Sequence, residues 1–253
     1  NEEAFRESCQ NGHLDVAMWL YEIKHTIDIG AQNEYAFREC CKCGHLYVAK
    51  WLYEIKPTVD ISADDEYAFR LSCREGHLDV AKWLYNIKPT IDIHADDEFS
   101  FRFSCRRGHL DVVKWLYEIK PTIDISAKNE FSFRFSCKYG YLDVAKWLYE
   151  IKPTIDIINN INNITNQTII KWLITVNDDI TYKIIDGKYI LYKKIKTIKK
   201  ENIVFNDKCC ICLEEPNCLT ECNHDICLEC VDILEEHICP LCRKSFEFCY
   251  IKN

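Results

Sequence analysis

Hydrophobic positions recur every 32 residues along the first part of the chain. Gly12 and Trp19 each return four more times at this interval, which defines five units that begin at residues 1, 33, 65, 97 and 129. One unit is too short to bury a hydrophobic core alone, whereas stacked units share a continuous core. The pattern therefore predicts an α-helical solenoid over residues 1–160.

Each unit contains two predicted helices. The first spans about unit positions 2 to 10 and places Phe5 and Cys9 on one face. Gly12 breaks it, and the second helix carries apolar residues at helical spacing, namely Leu14, Ala17, Leu20 and Ile23. In units two to five a proline ends the second helix, and an Ile-Asp-Ile or Val-Asp-Ile segment leads to the next unit through an extended or turn-like loop.

The second helix carries a family resemblance. Residues 76–84 read Gly-His-Leu-Asp-Val-Ala-Lys-Trp-Leu, which resembles the second helix of the ankyrin repeat, especially the divergent ankyrin repeats that giant DNA viruses encode. The resemblance covers residues 1–160 and implies stacked helix pairs that present a surface to other proteins. The period of 32 and the Glu-Tyr/Phe-Ala/Ser-Phe-Arg opening depart from the family at the part that forms its β-hairpin fingers.

Residues 161–200 depart from the period. Lys171-Trp172-Leu173 repeats the Lys-Trp-Leu motif seven residues early and predicts a degenerate closing repeat over the end of the stack. Asp186-Gly187, between β-branched and aromatic runs, predicts a β-hairpin. The lysines from residue 193 onward would suit RNA or a membrane surface, but such runs are usually solvated, and we expect a basic connector.

Residues 201–253 contain eight metal-type ligands in four close pairs: Cys209-x2-Cys212, Cys222-x-His224, Cys227-x2-Cys230 and Cys239-x2-Cys242. Two tetrahedral zinc sites need eight ligands of this kind, and each short pair directs two ligands at one metal. The segment is too short for an adequate apolar core, so metal binding must supply much of its folding free energy, about 10 kcal/mol per site. The pattern predicts two structural Zn²⁺ ions.

The order of these ligands resembles a RING finger, a small zinc-stabilised α+β domain. The resemblance implies that Cys209, Cys212, Cys227 and Cys230 hold the first zinc, and that Cys222, His224, Cys239 and Cys242 hold the second. Cys210 is an alternative to Cys209, which alone has the two-residue gap to Cys212. Treble-clef or two-finger nucleic-acid modules are the other interpretation, and the acidic composition of this segment disfavours phosphate binding. A PHD finger has its histidine as the fifth ligand, whereas His224 is the fourth ligand in this chain, so the order does not match that family.

The RING resemblance implies a ubiquitin ligase. Such a module holds a ubiquitin-conjugating enzyme charged with ubiquitin and supplies proximity and orientation without a covalent intermediate. Ile211, Pro240 and Leu241 match the apolar contact to the conjugating enzyme, and Arg243 matches the arginine that bridges this enzyme and ubiquitin. Leu234 stands where many relatives carry tryptophan, which reduces the area of the same groove.

The alternative hypothesis is a non-enzymatic interaction scaffold with a purely structural zinc module. Ile211 and Leu241 would then pack around zinc, and Arg243 would be a solvated charge. Under the ligase hypothesis the repeats bind the protein substrate. Unit position 7 becomes apolar toward the C-terminus, which nominates Leu71, Phe103 and Phe135 as docking residues. Packing between neighbouring first helices accounts for the same residues and is the interpretation we favour.

Composition narrows the class of protein further. The 253-residue chain is 48% hydrophobic with a net charge of −8, and only residues 161–200 are basic, so we expect no nucleic-acid partner. No apolar run is long enough to predict a membrane span. Asn1 already falls inside the repeat, so we expect the chain to be part of a longer protein.

The 17 cysteines do not predict a disulfide framework. Five of them occupy one equivalent position per unit, and neighbouring units lie too far apart for a bridge. We expect these five to be buried apolar residues of a protein in a reducing intracellular compartment, which for a viral protein is the host cytoplasm or nucleus. The recurring His13, His45, His77 and His109 are expected to be structural.

Overall fold

The computed structural model describes residues 2–155, 157, 164, 166–177, 180–185, 188–193, 196–200, 209, 211, 218–220, 225–226 and 248–252. The chain divides into two compact units, Asn1–Ile169 and Ile170–Asn253, and each is described by itself.

The first compact unit is a solenoid of helix pairs with a period of 32 residues. The first helices of the five repeats are α1 (Glu2–Gln10), α3 (Ala31–Lys42), α5 (Ala63–Glu75), α7 (Ala95–Arg107) and α9 (Ala127–Tyr139). The second helices are α2 (Leu14–Ile23), α4 (Leu46–Ile55), α6 (Leu78–Ile87), α8 (Leu110–Ile119) and α10 (Leu142–Ile151). Residues 2–155 contain no β-strand, so turns connect the repeats.

A glycine in the left-handed region ends each first helix. Gly76 has φ +86°, and its N–H donates to the Cys73 carbonyl at 3.1 Å. The N–H of His77 donates to the Ser72 carbonyl at 2.9 Å. This pair of bonds is a Schellman motif, which satisfies carbonyls at the helix end and favours glycine at its left-handed position. The glycine break predicted from the sequence is therefore confirmed.

Aromatic contacts hold neighbouring repeats together. The phenylalanine at unit position 5 is buried in every repeat, and the tryptophan of each of repeats two to five packs on the preceding repeat. Trp115, for example, lies 6.2 Å from Phe69 and 6.0 Å from Tyr85 between ring centroids. Trp19 has no preceding repeat among the described residues, and its side chain is 58% exposed.

The repeat cysteines are buried and free, as the sequence predicts: Cys9, Cys41, Cys73, Cys105 and Cys137. Burial raises the pKa of the Cys73, Cys105 and Cys137 thiols, so these groups stay protonated. They behave as small apolar residues of the continuous core.

Four first helices begin with a short left-handed turn. In α5, Asp64, Asp65 and Glu66 have φ of 59°, 54° and 62°, and the equivalent residues of α3, α7 and α9 share this conformation. A left-handed turn costs about 1–2 kcal/mol per non-glycine residue, so it persists only where the surroundings hold it. This feature was not predicted from the sequence.

The arginine at unit position 6 holds the left-handed turn of its own repeat. The Nε of Arg38 donates to the Asn33 carbonyl at 2.7 Å, and the Nε of Arg102 donates to the Asp97 carbonyl at 2.6 Å. The turn is also anchored by its glutamate, since Glu34 accepts from the Nζ of Lys56 at 2.9 Å. Side chains thus supply donors for carbonyls that the left-handed turn leaves without helical partners.

The second compact unit contains six strands in its described part. Strand β1 (Ile180–Ile185) pairs antiparallel with β2 (Lys188–Lys193), which is the hairpin predicted around Asp186 and Gly187. The other strands are β3 (Lys196–Lys200), β4 (Cys218–Thr220), β5 (Asp225–Ile226) and β6 (Phe248–Lys252), in the order β3-β6-β4-β5. Helix α11 (Gln167–Val176) follows the stack in the chain, at the position of the predicted closing repeat.

The lysine-rich segment departs from its prediction as a connector. Residues Lys196–Lys200 form β3, which runs parallel to β6 with Lys196 opposite Phe248. Strand β6 in turn pairs antiparallel with β4. The partner strand is about fifty residues away in the chain, so this pairing leaves no local signal in the lysine-rich sequence.

Candidate functional site

One of the eight predicted zinc ligands lies within the described residues. Cys209 is fully buried. The other seven lie outside the described residues: Cys212, Cys222, His224, Cys227, Cys230, Cys239 and Cys242. Leu234, Pro240, Leu241 and Arg243 lie outside them as well, so the predicted contact to a conjugating enzyme is described only at Ile211, which is partly exposed in a turn.

Two cysteines that do not belong to the ligand pattern are strand residues. Cys218 in β4 lies opposite Ile251 of β6, and Cys249 in β6 lies opposite Thr220. Both side chains are buried. Within the described part of the chain, no three or more Cys, His, Asp or Glu side chains come close enough together to hold a metal.

The three docking candidates on the repeats differ in accessibility. Leu71 is buried, with 5% of its side chain exposed. Phe103 and Phe135 are half-buried on α7 and α9. Phe103 contacts the ring of Phe131 on the next first helix, and Phe135 contacts the guanidinium group of Arg106 on the preceding one. Packing between first helices therefore involves both residues, and it remains the interpretation we favour.

A continuous row of rings runs across α7 and α9. The centroids of Phe99 and Phe103 lie 4.2 Å apart, those of Phe103 and Phe131 lie 5.5 Å apart, and those of Phe131 and Phe135 lie 4.2 Å apart. Phe135 continues the row to Tyr139 at 5.9 Å. The change from glutamate to phenylalanine along unit position 7 therefore creates an aromatic surface at the C-terminal end of the stack.

Arginines bridge this surface from one repeat to the next. The guanidinium of Arg70 lies 5.1 Å from the ring of Phe99, and that of Arg102 lies 5.0 Å from the ring of Phe131. In the N-terminal repeats, Arg38 stacks on Tyr67 at 4.8 Å and pairs with Asp64 at 2.7 Å. These arginines at unit position 6 stabilise the stack, because each joins two repeats.

Arg106, at unit position 10, is placed differently. Its guanidinium carbon lies 5.5 Å, 5.4 Å and 5.7 Å from the rings of Phe103, Phe135 and Tyr139. It also donates to the Tyr139 hydroxyl at 3.4 Å, and this hydrogen bond lowers the pKa of the phenol below its ordinary value. Among the described residues, no carboxylate lies within 4.0 Å of Arg106.

An open pocket of about 330 Å³ lies beside Arg106. We call it the Arg106 pocket, and it is lined by Arg74, Phe103, Arg106, Arg107, Tyr139 and Tyr141. Glu75 pairs with Arg74 at 2.6 Å and with Arg107 at 3.0 Å. The pocket thus has three guanidinium groups and one neighbouring carboxylate, which pairs with two of them, so it carries an excess of positive charge.

Sequence reasoning found the aromatic trend at unit position 7 but missed the Arg106 pocket. The signal available was the composition of two segments. Residues 99–107 contain three arginines and residues 131–139 contain one arginine and one lysine, and neither segment contains Asp or Glu. The acidic net charge of the whole chain concealed this local basic surface.

The chain matches no known family model, and no curated protein is similar to it. The helices in the described part are each too short or too polar to cross a bilayer.

Proposed function

We propose that this chain is a RING-type ubiquitin ligase that binds its protein substrate through the helical repeats. The observation that carries the proposal is the ordered set of seven cysteines and one histidine from Cys209 to Cys242. Eight soft ligands in four close pairs match the needs of two closed tetrahedral zinc sites. Closed sites have no open coordination position, so zinc would have a structural role and no catalytic one.

The eight ligands divide into two interleaved sets in this proposal. Cys209, Cys212, Cys227 and Cys230 would hold one zinc, and Cys222, His224, Cys239 and Cys242 would hold the other. Both ions would stabilise the fold of a segment that is too short for a large apolar core. The buried side chain of Cys209 supports this assignment, because a structural ligand is shielded from water.

Ubiquitin transfer would depend on how the zinc module orients the charged conjugating enzyme. Ile211, Leu234, Pro240 and Leu241 would form the apolar groove for the conjugating enzyme. Arg243 would donate to acceptors on that enzyme and on ubiquitin together, which holds the thioester where a substrate lysine attacks it. The partial exposure of Ile211 supports its role as a contact residue.

The helical stack suits the role of substrate receptor. A solenoid presents one long surface built from equivalent positions, and changes between repeats alter that surface without altering the core. In this chain unit position 7 is one of the positions that vary, and glutamate in the first two repeats gives way there to Leu71, Phe103 and Phe135.

An in-vitro ubiquitination assay tests the proposal. The full chain is combined with activating enzyme, a panel of conjugating enzymes, ubiquitin and ATP, and its zinc content is measured by mass spectrometry. We expect two zinc ions per chain and ubiquitin chains with at least one conjugating enzyme. Arg243→Ala and Ile211→Ala should each reduce chain formation about tenfold or more while zinc is retained.

The neighbouring cation supplies a matched control. Lys244→Ala removes a positive charge one residue after Arg243 and should leave the rate of chain formation close to that of the parent. A protein that holds two zinc ions but forms no ubiquitin chains with any conjugating enzyme would contradict the proposal. The interaction scaffold would then be the better account of the zinc module, with Leu234 the first residue to change to tryptophan.

A further inference from the structure

We propose that the Arg106 pocket binds an acidic segment of a partner protein, with a carboxylate at Arg106 and an adjacent apolar side chain on the aromatic row. The identification of this segment as a ubiquitination substrate rests on the proposed function. The binding itself requires only the repeat surface.

The first argument is charge. From Phe99 to the end of α7 and from Phe131 to the end of α9, these two helices together carry five cationic side chains and no acidic one. The corresponding faces of α1, α3 and α5 carry Glu7, Glu39 and Glu75. Among the first helices, only these two carry basic residues without an acidic one on this face, and such a surface on a chain with net charge −8 favours a partner with local negative charge.

The second argument is the state of Arg106. Three rings surround its guanidinium group, and the Tyr139 hydroxyl accepts one of its five N–H groups. The arginines at unit position 6 use their donors on backbone carbonyls of the left-handed turns, and Arg74 and Arg107 share Glu75. Among the arginines that line the Arg106 pocket, Arg106 is the one without an acidic partner in the described part of the chain, so a ligand carboxylate completes its contacts.

The third argument is the apolar wall. Phe103, Tyr139 and Tyr141 line the Arg106 pocket, and the two tyrosines are 46% and 36% exposed. Tyrosine and arginine around a concave site are the residue types that dominate binding energy at protein interfaces. A volume of about 330 Å³ suits one or two side chains of a peptide.

Nucleic acid is the competing class of ligand, since stacked rings and arginines also bind single strands. Strand binding needs a basic groove that follows many phosphates, and its affinity falls steeply with salt. Glu75 pairs with Arg74 and Arg107 and so interrupts the run of free basic side chains that a continuous phosphate backbone would need. The observations therefore favour a local acidic peptide.

Fluorescence polarisation with a short labelled peptide tests this inference. The probe alternates glutamate with phenylalanine and leucine, and a second probe carries glutamine at every glutamate position. We expect the full chain to bind the glutamate probe at least about tenfold more tightly than the glutamine probe. Equal binding of the two probes would overturn the proposal.

Substitutions that copy the equivalent residue of another repeat test the individual side chains of the site. Arg106→Gln introduces the residue that the first repeat carries at Gln10, and Phe103→Leu introduces the residue that the third repeat carries at Leu71. Each should weaken binding of the glutamate probe by about tenfold. Lys42→Gln, at the same unit position as Arg106 but in the second repeat, should leave binding unchanged. Thermal unfolding of each variant confirms that the stack is intact.

Two further outcomes are decisive. An Arg106→Gln variant that is folded and binds like the parent would refute the site, and a uridine-rich RNA that binds more tightly than the glutamate probe would assign the surface to nucleic acid. The binding assay contains no conjugating enzyme, so a failure of ubiquitin transfer does not affect it. Conversely, ubiquitin chains without peptide binding would retain the ligase and discard this site.

Discussion

Single glycines in the stack are constrained both by their backbone angle and by a ring from the next repeat. Gly76 has φ +86°, and a Cβ atom at this position would lie 2.5 Å from Nδ1 of His109. The imidazole therefore occupies the space that a side chain would need. The same contact recurs along the stack and accounts for the repeated ring after each glycine, namely His45, His77, His109 and Tyr141.

Replacing one of these glycines tests both constraints. Gly76→Ala should lower the free energy of unfolding by more than about 1 kcal/mol, because alanine is strained at positive φ and its Cβ would meet the His109 ring. Urea unfolding of the full chain measures this loss. In a His109→Ala background the same change should cost less, since only the backbone strain remains. Equal losses in the two backgrounds would show that the ring contact has no energetic role.

The histidines make the stability of the stack depend on pH. Burial lowers the pKa of His45 and His109 below that of a free imidazole, which is about 6.5. Between the lowered pKa values and about pH 6.5, the folded chain therefore binds fewer protons than the unfolded chain. Their contribution to stability is therefore complete above about pH 6.5 and decreases as the pH falls toward the lowered pKa values.

A variant taken from the fifth repeat isolates this effect. His45→Tyr and His109→Tyr introduce the residue that the chain carries at Tyr141, where no imidazole can titrate. Thermal melts at a series of pH values from 7.5 to about 5.5 should show a smaller fall in Tm for the double variant than for the parent. An equal fall in Tm for both proteins would show that groups other than these two histidines cause the pH dependence.

At the scale of the elements, the left-handed turns show how one local conformation depends on distant side chains. The turn at the start of α5 has three consecutive non-glycine residues at positive φ. Arg70 donates to the Asp64 carbonyl at 3.2 Å and places its guanidinium against Phe99 of the next repeat. The backbone strain of one repeat is thus offset by contacts that require its neighbour.

Glycine should relieve the strain of this turn. Asp65 is exposed at φ 54°, and its side chain makes no hydrogen bond or ion pair with the described residues. Asp65→Gly should raise the free energy of unfolding by up to about 1 kcal/mol, because the left-handed conformation is costly for residues with a Cβ. Asp65→Val is the control and should lower it by about 1–2 kcal/mol, since a β-branched residue tolerates this conformation least. Midpoints of urea unfolding that rank the variants in the opposite order would contradict a left-handed turn.

The helices and the turns were not equally predictable. Periodic apolar residues predicted the second helix of each repeat, with a glycine before it and, in units two to five, a proline after it, because these signals lie within the helix or directly beside it. The left-handed turns have no such signal, since aspartate and asparagine occur in many loop conformations and the arginine that holds them also fits a solvated helix face. Strand β3 was missed for the same reason, because its partner β6 is distant in the chain.

The two candidate sites, the proposed zinc ligands and the Arg106 pocket, also differ in how far the sequence predicts them. The zinc ligands could be proposed from the sequence alone, since spacing along the chain determines which pairs can reach one metal. The Arg106 pocket could not, because its walls come from α5, α7, α9 and the loop at Tyr141. Only the stacking of repeats brings Arg74, Arg106 and Tyr139 to one place.

At the scale of the whole molecule, we expect the repeats and the C-terminal segment to differ in their source of stability. The repeats bury an apolar core that includes Phe101, Leu116 and Cys105, and each repeat is stabilised mainly by its neighbours. The C-terminal segment has few residues and many metal-type ligands, so its folding free energy would come from zinc. Stability of the repeats should therefore be insensitive to the metal.

Removal of zinc separates these two contributions. Treatment of the full chain with a strong chelator should make residues 201–253 sensitive to trypsin, because structural zinc supplies about 10 kcal/mol or more of folding free energy per site. The helical transition followed by far-UV circular dichroism should keep its Tm, since all eight proposed ligands lie between residues 209 and 242, outside the first compact unit. Mass spectrometry of the digest locates the cleavages, and zinc added back should restore protection. Cleavage throughout the repeats, together with a lower helical Tm, would mean that the metal stabilises the stack itself.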